Sequence, residues 1–171
     1  SMSHLTNDFM VTLLDLFTAC SEGNGWTVLA PTNANNDAEQ QHADIENLLS
    51  LGANVLVYAA VDSAAIVPSI EAANERSIPV FEFDTRSFGG EDVTTVRANN
   101  FMAGQLAAEE MIRRLEEKPC WPECKVLELQ GGLNTQNGRD RSEGFQDVIK
   151  KYPDITMISR PTDWVAETGA N

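Results

Sequence analysis

The alternation of strand-like and helix-like segments is the feature that most limits how this chain can fold. Residues 55–59 form a nearly continuous apolar run, which is typical of a strand covered on both faces. Similar runs predict strands at 26–30, 79–83, 93–97, 126–130 and 155–159. Helical spacing of apolar side chains predicts helices at 8–20, 35–52, 62–73, 101–116 and 142–151, with a last helical turn near Asp163. Strands that alternate with helices predict βαβ units and a parallel sheet, so the expected fold class is α/β.

The charge of the chain excludes one class of partner. A formal net charge of −14 over 171 residues argues against nucleic acid, because phosphate binding needs a basic surface. An acidic chain suits a neutral small ligand or a partner with basic patches, and charge that serves solubility alone stays open as an alternative. No apolar run approaches the roughly 18 residues that cross a bilayer. Ser1 and Met2 resemble a remnant of tag removal, so the absence of an export signal ahead of them does not indicate the cytoplasm.

Two of the three cysteines lie close together in a segment with two prolines. Cys120 and Cys124 could close a small disulfide hairpin in an oxidising compartment, remain free thiols, or form a redox-active pair. The gap between them differs from the two-residue gap of thioredoxin-like motifs. A zinc site would need about two further ligands, and no nearby His or Cys supplies them. Cys20 ends the apolar stripe of the first helix and is predicted to be a core residue.

Polar and aromatic residues follow the predicted strands at their carboxyl ends, where open parallel sheets bind ligands. These residues are Asn7, Phe9, Asp84, Asn99, Asn100, the segment 134–141 with Arg141, and Trp164. Carboxylate, amide and guanidinium groups can pair with sugar hydroxyls, and aromatic rings can pack on the C–H faces of a sugar. Structural roles remain open for each of them: a helix cap for Asn7, a core position for Trp164, and an ion pair with Asp140 or Glu143 for Arg141.

Enzymatic motifs are not found. The sequence has neither a G-x-S-x-G elbow nor a G-x-x-x-x-G-K-[ST] loop, and residues 130–134 contain glycines without the dinucleotide-binding pattern. The two histidines, His4 and His42, are far apart, and His42 is predicted on the polar side of a helix. We therefore expect no catalytic residues, no cofactor and no metal.

At the same residues the sequence resembles the ribose-binding group of periplasmic sugar-binding proteins. The matching segments, in chain order, are 3–10, 44–53, 61–63, 78–84, 128–131, 139–145 and 161–164. The resemblance implies parallel-sheet, flavodoxin-like lobes of the type I periplasmic binding protein fold, with a first lobe at 3–97 and the start of a second lobe at 98–171. It also implies a non-enzymatic receptor in the periplasm that serves an ABC importer permease. Binding of a monosaccharide or related polyol would close the two lobes of such a receptor.

The resemblance also implies a set of ligand-binding residues. The set that we expect is Asn7, Phe9, Met10, Asp84, Arg86, Asn100, Arg141 and Trp164. In it, Asp84 and Arg141 would bind hydroxyls, and Phe9 and Trp164 would sandwich the sugar. The sequence departs from the family where Met10 replaces a second Phe, where Thr85 separates Asp84 from Arg86, and where Ala59 and Ala60 replace an Asn-Pro pair.

The family pattern extends beyond this sequence at both ends. It begins with a strand ahead of Ser3 and continues past Asn171, so the fold is expected to be incomplete. A first sheet without that strand would lack a central member, and we expect it to pair with another chain, by self-association for example, or with residues outside this sequence. Two other functions stay open: the effector-binding core of a LacI-type regulator, which shares this fold, and a fragment without an intact sugar site.

Overall fold

Two compact units make up the chain, Ser1–Arg97 and Ala98–Asn171, in a computed structural model that describes residues 1–162, 164 and 166–170. The first unit contains α1 (Asp8–Gly23), α2 (Ala38–Ser50), β1 (Leu56–Tyr58), α3 (Val67–Glu75), β2 (Val80–Phe83) and β3 (Thr94–Val96). The second contains α4 (Asn100–Leu115), β4 (Lys125–Gln130), α5 (Gln136–Ile149), β5 (Thr156–Pro161) and α6 (Ala166–Ala170). All paired strands are parallel, so the predicted α/β class is confirmed.

The sheet of the first unit has helices packed on both faces. Its strand order is β1-β2-β3. Leu56 and Tyr58 are buried in one apolar cluster with side chains of α2 and α3, such as Ile45. Ala59 is buried in a separate cluster with Met2 and Met10. Since successive residues of a strand point to opposite faces, burial of both sets explains the continuous apolar run that the sequence shows here.

The sheet of the second unit is covered by α4 and α5. β4 pairs with β5 in parallel, and Val126 is buried with side chains of both helices. The alternate side chains Leu127 and Leu129 of β4 are exposed, as is Ile158 of β5. Among the described residues, α4 and α5 therefore cover one face of this sheet, and the other face is largely exposed, with Gly169 of α6 close to Leu129.

Helices α4 and α5 approach closely at two glycines. A Cβ atom on Gly144 would lie 2.0 Å from the carbonyl oxygen of Phe101, and one on Gly104 would lie 2.2 Å from that of Arg141. Real Cβ atoms do not come this close to backbone, so both positions require glycine. This contact fixes the helix that carries Arg141 against α4.

The strand predicted at 26–30 is wrong. The segment lies outside the strands, and the only pairing recorded near it is an isolated parallel bridge between Met2 and Asn33. A strand is defined by its ladder of hydrogen bonds, and in the described part of the chain no hydrogen bond reaches the backbone of residues 27–31. The residue types of 26–30 therefore favour a strand, but no neighbouring strand pairs with this segment in the described part of the chain.

Two helix starts could not be placed correctly from the sequence. The segment predicted to lie in a helix, 142–151, falls mostly within α5, which begins earlier, at Gln136, because the hydroxyl of Thr135 caps it by accepting from Gly138 N at 3.3 Å. α3 begins at Val67 and not near Asp62, whose carboxylate instead accepts from Ala64 N and Ala65 N, both at 2.8 Å, in the preceding turn.

The three cysteines divide into one pair and one free thiol. Cys120 and Cys124 form a disulfide with their Cα atoms 4.9 Å apart. Cys20 is exposed, so its predicted core position is wrong. The reason lies in α1, where Leu13, Leu14 and Phe17 are themselves only half-buried and Met10 is the one residue recorded as buried among those described.

Reduction of the disulfide is expected to lower the free energy of unfolding by about 2 kcal/mol, because the cross-link limits the conformational entropy of the unfolded chain and reduction restores it. Urea denaturation with and without reductant measures this, and the Cys120→Ala/Cys124→Ala double variant should reproduce the reduced state. Cys20→Ala, at an exposed thiol, is the matched control and should unfold as the unaltered chain does. Equal stability of reduced and oxidised protein would contradict the expectation.

Candidate functional site

Asp84 occupies the carboxyl end of β2 in the first unit. Its φ of +61° places it in the left-handed region, which is uncommon for a non-glycine residue. Its N–H donates to Val96 O at 2.9 Å, and the Thr85 hydroxyl donates to its Oδ2 at 3.3 Å. The backbone is therefore turned sharply at the strand end, where a half-buried carboxylate can accept from a ligand.

A buried carboxylate lies two residues earlier in the same strand. Glu82 is fully buried and accepts hydrogen bonds from the Tyr58 hydroxyl, from Thr95 Oγ1 at 2.6 Å and from Ser87 N at 3.2 Å. Burial alone would raise the pKa of Glu82, but the bonds from Ser87, Thr95 and Tyr58 outweigh it and the pKa is lowered. These hydrogen bonds connect β1, β3 and the loop after Asp84 to the single carboxylate of Glu82. The network was not predicted from the sequence.

Glu82→Gln is expected to lower the free energy of unfolding by about 1.5–3 kcal/mol at pH 7, because it removes charge-assisted hydrogen bonds from a buried site. A lowered pKa in the folded state means that the stabilisation is present above the unfolded carboxyl pKa of about 4.3 and is lost as pH falls through the folded value. The difference from the unaltered chain should therefore shrink on acidification. Urea denaturation across pH 3–7 measures it, with Glu71→Gln, at an exposed position of α3, as the control. A difference that does not change with pH would show that the charge is not responsible.

The start of α1 holds three residues of the expected ligand set. Asn7 caps the helix, since its Oδ1 accepts from Met10 N at 2.9 Å. Phe9 is 57% exposed, whereas Met10 is buried against Met2 and Ala59. Asn7 therefore caps α1. Its role in ligand binding stays a prediction, as does that of the exposed Phe9 in the first turn of the same helix.

Residues of the first unit converge on one edge of its sheet. Met2 and Ser1 run parallel to β1, so the chain leaves this edge toward Asn7 at the same end where β2 leaves toward Asp84. Arg86 is exposed in the loop that follows Asp84. The carboxyl edge of the sheet therefore collects an amide, a carboxylate, a guanidinium and an exposed phenyl ring.

In the second unit the structure brings Arg141 and Trp164 together. The guanidinium carbon of Arg141 lies 5.4 Å from the centre of the Trp164 ring system, within the range of a cation–π contact. Trp164 is 57% exposed, so the core position left open for it does not apply. Its φ of +62° is again in the left-handed region, where strain clusters at functional sites.

Two glycines after β4 make room for this indole ring. A Cβ atom on Gly131 would lie 2.2 Å from Trp164 Cζ2, and one on Gly132 would lie 3.1 Å from its Nε1. From the sequence, these glycines were considered only as part of a dinucleotide-binding motif, whose pattern they do not match. Because they carry no Cβ atom, these glycines let the indole ring approach the backbone closely at the carboxyl end of β4.

Asn100 is more deeply placed than a ligand residue at a strand end usually is. It is 1% exposed at the start of α4, and its Nδ2 donates to Asn137 Oδ1 at 3.0 Å. Its Oδ1 is buried without a hydrogen-bond partner among the described residues. Asn137, on α5, lies within the candidate segment 134–141, but it was not singled out, because nothing in the local pattern separates it from a surface asparagine.

Metal-binding clusters and membrane-spanning helices are both absent from the described residues. No group of three or more His, Cys, Asp and Glu side chains within 1–162, 164 and 166–170 is placed to hold a metal ion. In the same residues, no helix is both long and apolar enough to span a bilayer. Asp163, next to the aromatic residue of the set, lies outside the described residues, as does the helix start expected there.

The fold and the two sets of side chains define a class: a parallel α/β domain with polar and aromatic groups at the carboxyl ends of its strands. A family model described as a periplasmic binding protein domain matches residues 1–171, and the chain belongs to that family. The predicted type I periplasmic binding protein fold, incomplete in this chain, is confirmed by solved structures that it matches.

Sequence and structure comparisons agree on the kind of relative. The chain is 29% identical to the ribose import binding protein RbsB of Escherichia coli, over 99% of this chain and 55% of that protein. It is 31% identical to the galactofuranose-binding protein YtfQ of Escherichia coli, over 77% of this chain and 41% of that protein. A solute-binding protein of an ABC transporter from Mycobacterium smegmatis, solved with bound glycerol, matches with a TM-score of 0.86 at 28% identity over 98% of this chain and 56% of that one. The chain therefore spans about half the length of the relatives it matches.

Proposed function

We propose that this chain is the binding component of an ABC importer and that it binds a monosaccharide or related polyol. The observation that carries the proposal is the exposed Trp164 ring with the Arg141 guanidinium 5.4 Å from its centre, at the carboxyl end of β4. The pair presents an aromatic ring and a planar set of hydrogen-bond donors together, and these are the two kinds of group that a sugar can contact.

The chemistry of this pair suits a neutral polyhydroxylated ligand. The indole face can pack against sugar C–H groups, and the guanidinium presents several donors in a planar fork that can reach two hydroxyl oxygens at once. In the first unit, the Asp84 carboxylate is acceptor-only when ionised and can accept hydrogen bonds from sugar hydroxyl groups. Phe9, more than half exposed beside Asn7, offers a second apolar face.

The named relatives support a sugar as the ligand and a permease as the partner. Their names include ribose import and galactofuranose binding, and a structural relative holds glycerol. The net charge of −14 fits a neutral solute and disfavours polyanions. All of these relatives are named as binding proteins, and the function proposed for this chain is accordingly binding without catalysis.

A location outside the cytoplasm goes with this proposal. The family is periplasmic, and the bond between Cys120 and Cys124 suits an oxidising compartment, where disulfides persist. The same bond disfavours the regulator alternative, since a LacI-type regulator works in the reducing cytoplasm.

Thermal unfolding against a panel of pentoses, hexoses and polyols tests the proposal. A ligand that binds only the folded protein raises the midpoint in proportion to the logarithm of its concentration once it exceeds Kd. We expect one group of related sugars to raise the midpoint, and Trp164→Ala to abolish the rise. No rise with any member of the panel would reject sugar binding by this chain and favour a fragment without an intact site.

A further inference from the structure

A buried polar network connects β4, β5 and α5 in the second unit. The carboxylate of Glu128 is buried and accepts hydrogen bonds from Ser159 Oγ at 2.7 Å and from Gln146 Nε2 at 3.1 Å. Gln130 Nε2 donates to the same carboxylate at 3.3 Å and to the buried hydroxyl of Ser142 at 2.8 Å. Gln146 Nε2 also donates to Ser142 Oγ, at 2.9 Å. Buried polar groups that are satisfied in this way favour one arrangement of the elements that carry them.

Gln130 contacts the chain next to both Arg141 and Trp164. Its side chain donates to Ser142, the residue that follows Arg141. Its carbonyl oxygen accepts from Thr162 N at 2.9 Å and from Thr162 Oγ1 at 2.7 Å, two residues before Trp164. One residue at the end of β4 is therefore bonded to both segments that carry the proposed binding pair.

The contacts of α5 with β4 fix the rotation of this helix about its own axis. Ser142 and Gln146 are four residues apart, so they lie on one face of α5, and both bond to side chains of β4. Arg141 is displaced from Ser142 by about 100° around the helix. A rotation of α5 would therefore move the guanidinium of Arg141, whose carbon lies 5.4 Å from the centre of the Trp164 ring system.

The contacts with Thr162 fix the chain that leads to the indole ring. The paired residues of β4 and β5 end at Gln130 and Pro161, and Thr162, which is buried, continues the bonding by one residue. The residue after Gln130 is Gly131, where a Cβ atom would lie 2.2 Å from Trp164 Cζ2. The place of the indole ring thus depends on the backbone at the end of β4.

We propose that Gln130 is a positioning residue, which holds Arg141 against Trp164 before a ligand arrives. This inference rests on the proposed function, because it assigns the arrangement of that binding pair to a residue that need not touch the ligand. A pair already in its binding arrangement loses less conformational freedom on binding, so affinity rises without a further contact. If the pair is formed in only a fraction of the free molecules, the apparent Kd rises in inverse proportion to that fraction.

The ring current of Trp164 measures this arrangement without any ligand. It should displace the NMR resonances of the Arg141 side-chain protons, and Trp164→Ala supplies their undisplaced positions. We expect Gln130→Ala to lose most of the displacement. Ser142→Ala removes the same hydrogen bond by a smaller change and should lose the displacement as well, which keeps the test valid if Gln130→Ala does not fold.

Gln105→Ala is the matched control. Gln105 is a half-buried glutamine of α4 whose Nε2 donates to Asp147 Oδ2 at 3.1 Å, so the variant also removes a side-chain hydrogen bond to α5. It leaves the contacts between α5 and β4 in place, and the Arg141 resonances should keep their displacement. Full displacement in both Gln130→Ala and Ser142→Ala, or an equal loss in Gln105→Ala, would overturn the proposal.

Titration with the sugar identified by the panel then relates the arrangement to affinity. The Kd of Gln130→Ala should rise about five- to tenfold, the scale of one hydrogen bond, and by the same factor by which the displacement falls. The Kd of Gln105→Ala should stay within about twofold of the unaltered chain. A lost displacement with an unchanged Kd would overturn the proposal. A lost displacement in a chain that binds no sugar would support the positioning of Arg141 by Gln130 and reject the proposed function.

Discussion

Gly144→Ala is expected to destabilise the second unit by about 3 kcal/mol or more, at the upper end of what overpacking costs. The added methyl group would lie 2.0 Å from the Phe101 carbonyl oxygen and 2.9 Å from its carbon. These are backbone atoms of α4, so no side-chain rotation can relieve the contact and the two helices must separate. Since α5 carries Arg141, the separation would also displace the guanidinium from the Trp164 ring.

Urea denaturation followed by far-ultraviolet circular dichroism measures this loss, and hydrogen exchange of α4 and α5 amides locates it in the second unit. Gly23→Ala is the matched control, because nothing lies within 4 Å of a Cβ atom at that position of α1. The control should change the free energy of unfolding by no more than about 0.5 kcal/mol. A Gly144→Ala protein as stable as the control would show that the helices can be held further apart without cost.

Arg141→Ala is expected to weaken binding of the sugar identified by the panel by about 10- to 150-fold, which corresponds to about 1.5–3 kcal/mol for hydrogen bonds from a charged donor. Arg141→Lys keeps the charge but loses the planar fork, so it should recover only part of the affinity. Isothermal titration measures the three dissociation constants. This expectation rests on the proposed function.

Arg113→Ala is the control for Arg141→Ala. Arg113 is an exposed arginine of the same unit, paired with Glu110 on α4, and its loss should leave sugar affinity unchanged. Equal loss in both variants would indicate a general electrostatic effect of removing positive charge from an acidic protein. Unchanged affinity in Arg141→Ala would remove Arg141 from the proposed site.

The periodicity of the sequence predicted most of the fold because local pattern and tertiary packing agree there. The run at 55–59 is apolar throughout since helices cover both faces of β1, and such burial is visible in the residue types themselves. The segment 26–30 has an equally good strand pattern but no partner, and no local pattern reports whether a partner is present. Strand formation depends on neighbours, whereas helix formation is mostly local.

The candidate site was predicted in part for a similar reason. Asp84, Arg141 and Trp164 were selected because strand ends can be located from the sequence and ligands bind there, and their role in binding stays a prediction. The Glu82 network was missed because Tyr58 and Thr95, which contact its carboxylate, are brought to it by strand pairing and lie far from it in the chain. Gly131 was missed as a site residue because its role depends on a tryptophan that reaches it through the pairing of β4 with β5.

Nuclear magnetic resonance of the tryptophan indole groups tests sugar binding most directly. The chain has three tryptophans, and with ¹⁵N-labelled indole each gives one resonance to follow during titration with the sugar panel. We expect the Trp164 resonance to shift saturably with one group of related sugars while that of Trp121, which packs against Tyr152 away from β4's carboxyl end, stays in place. A Trp164 resonance that no sugar moves at saturating concentration would contradict the account.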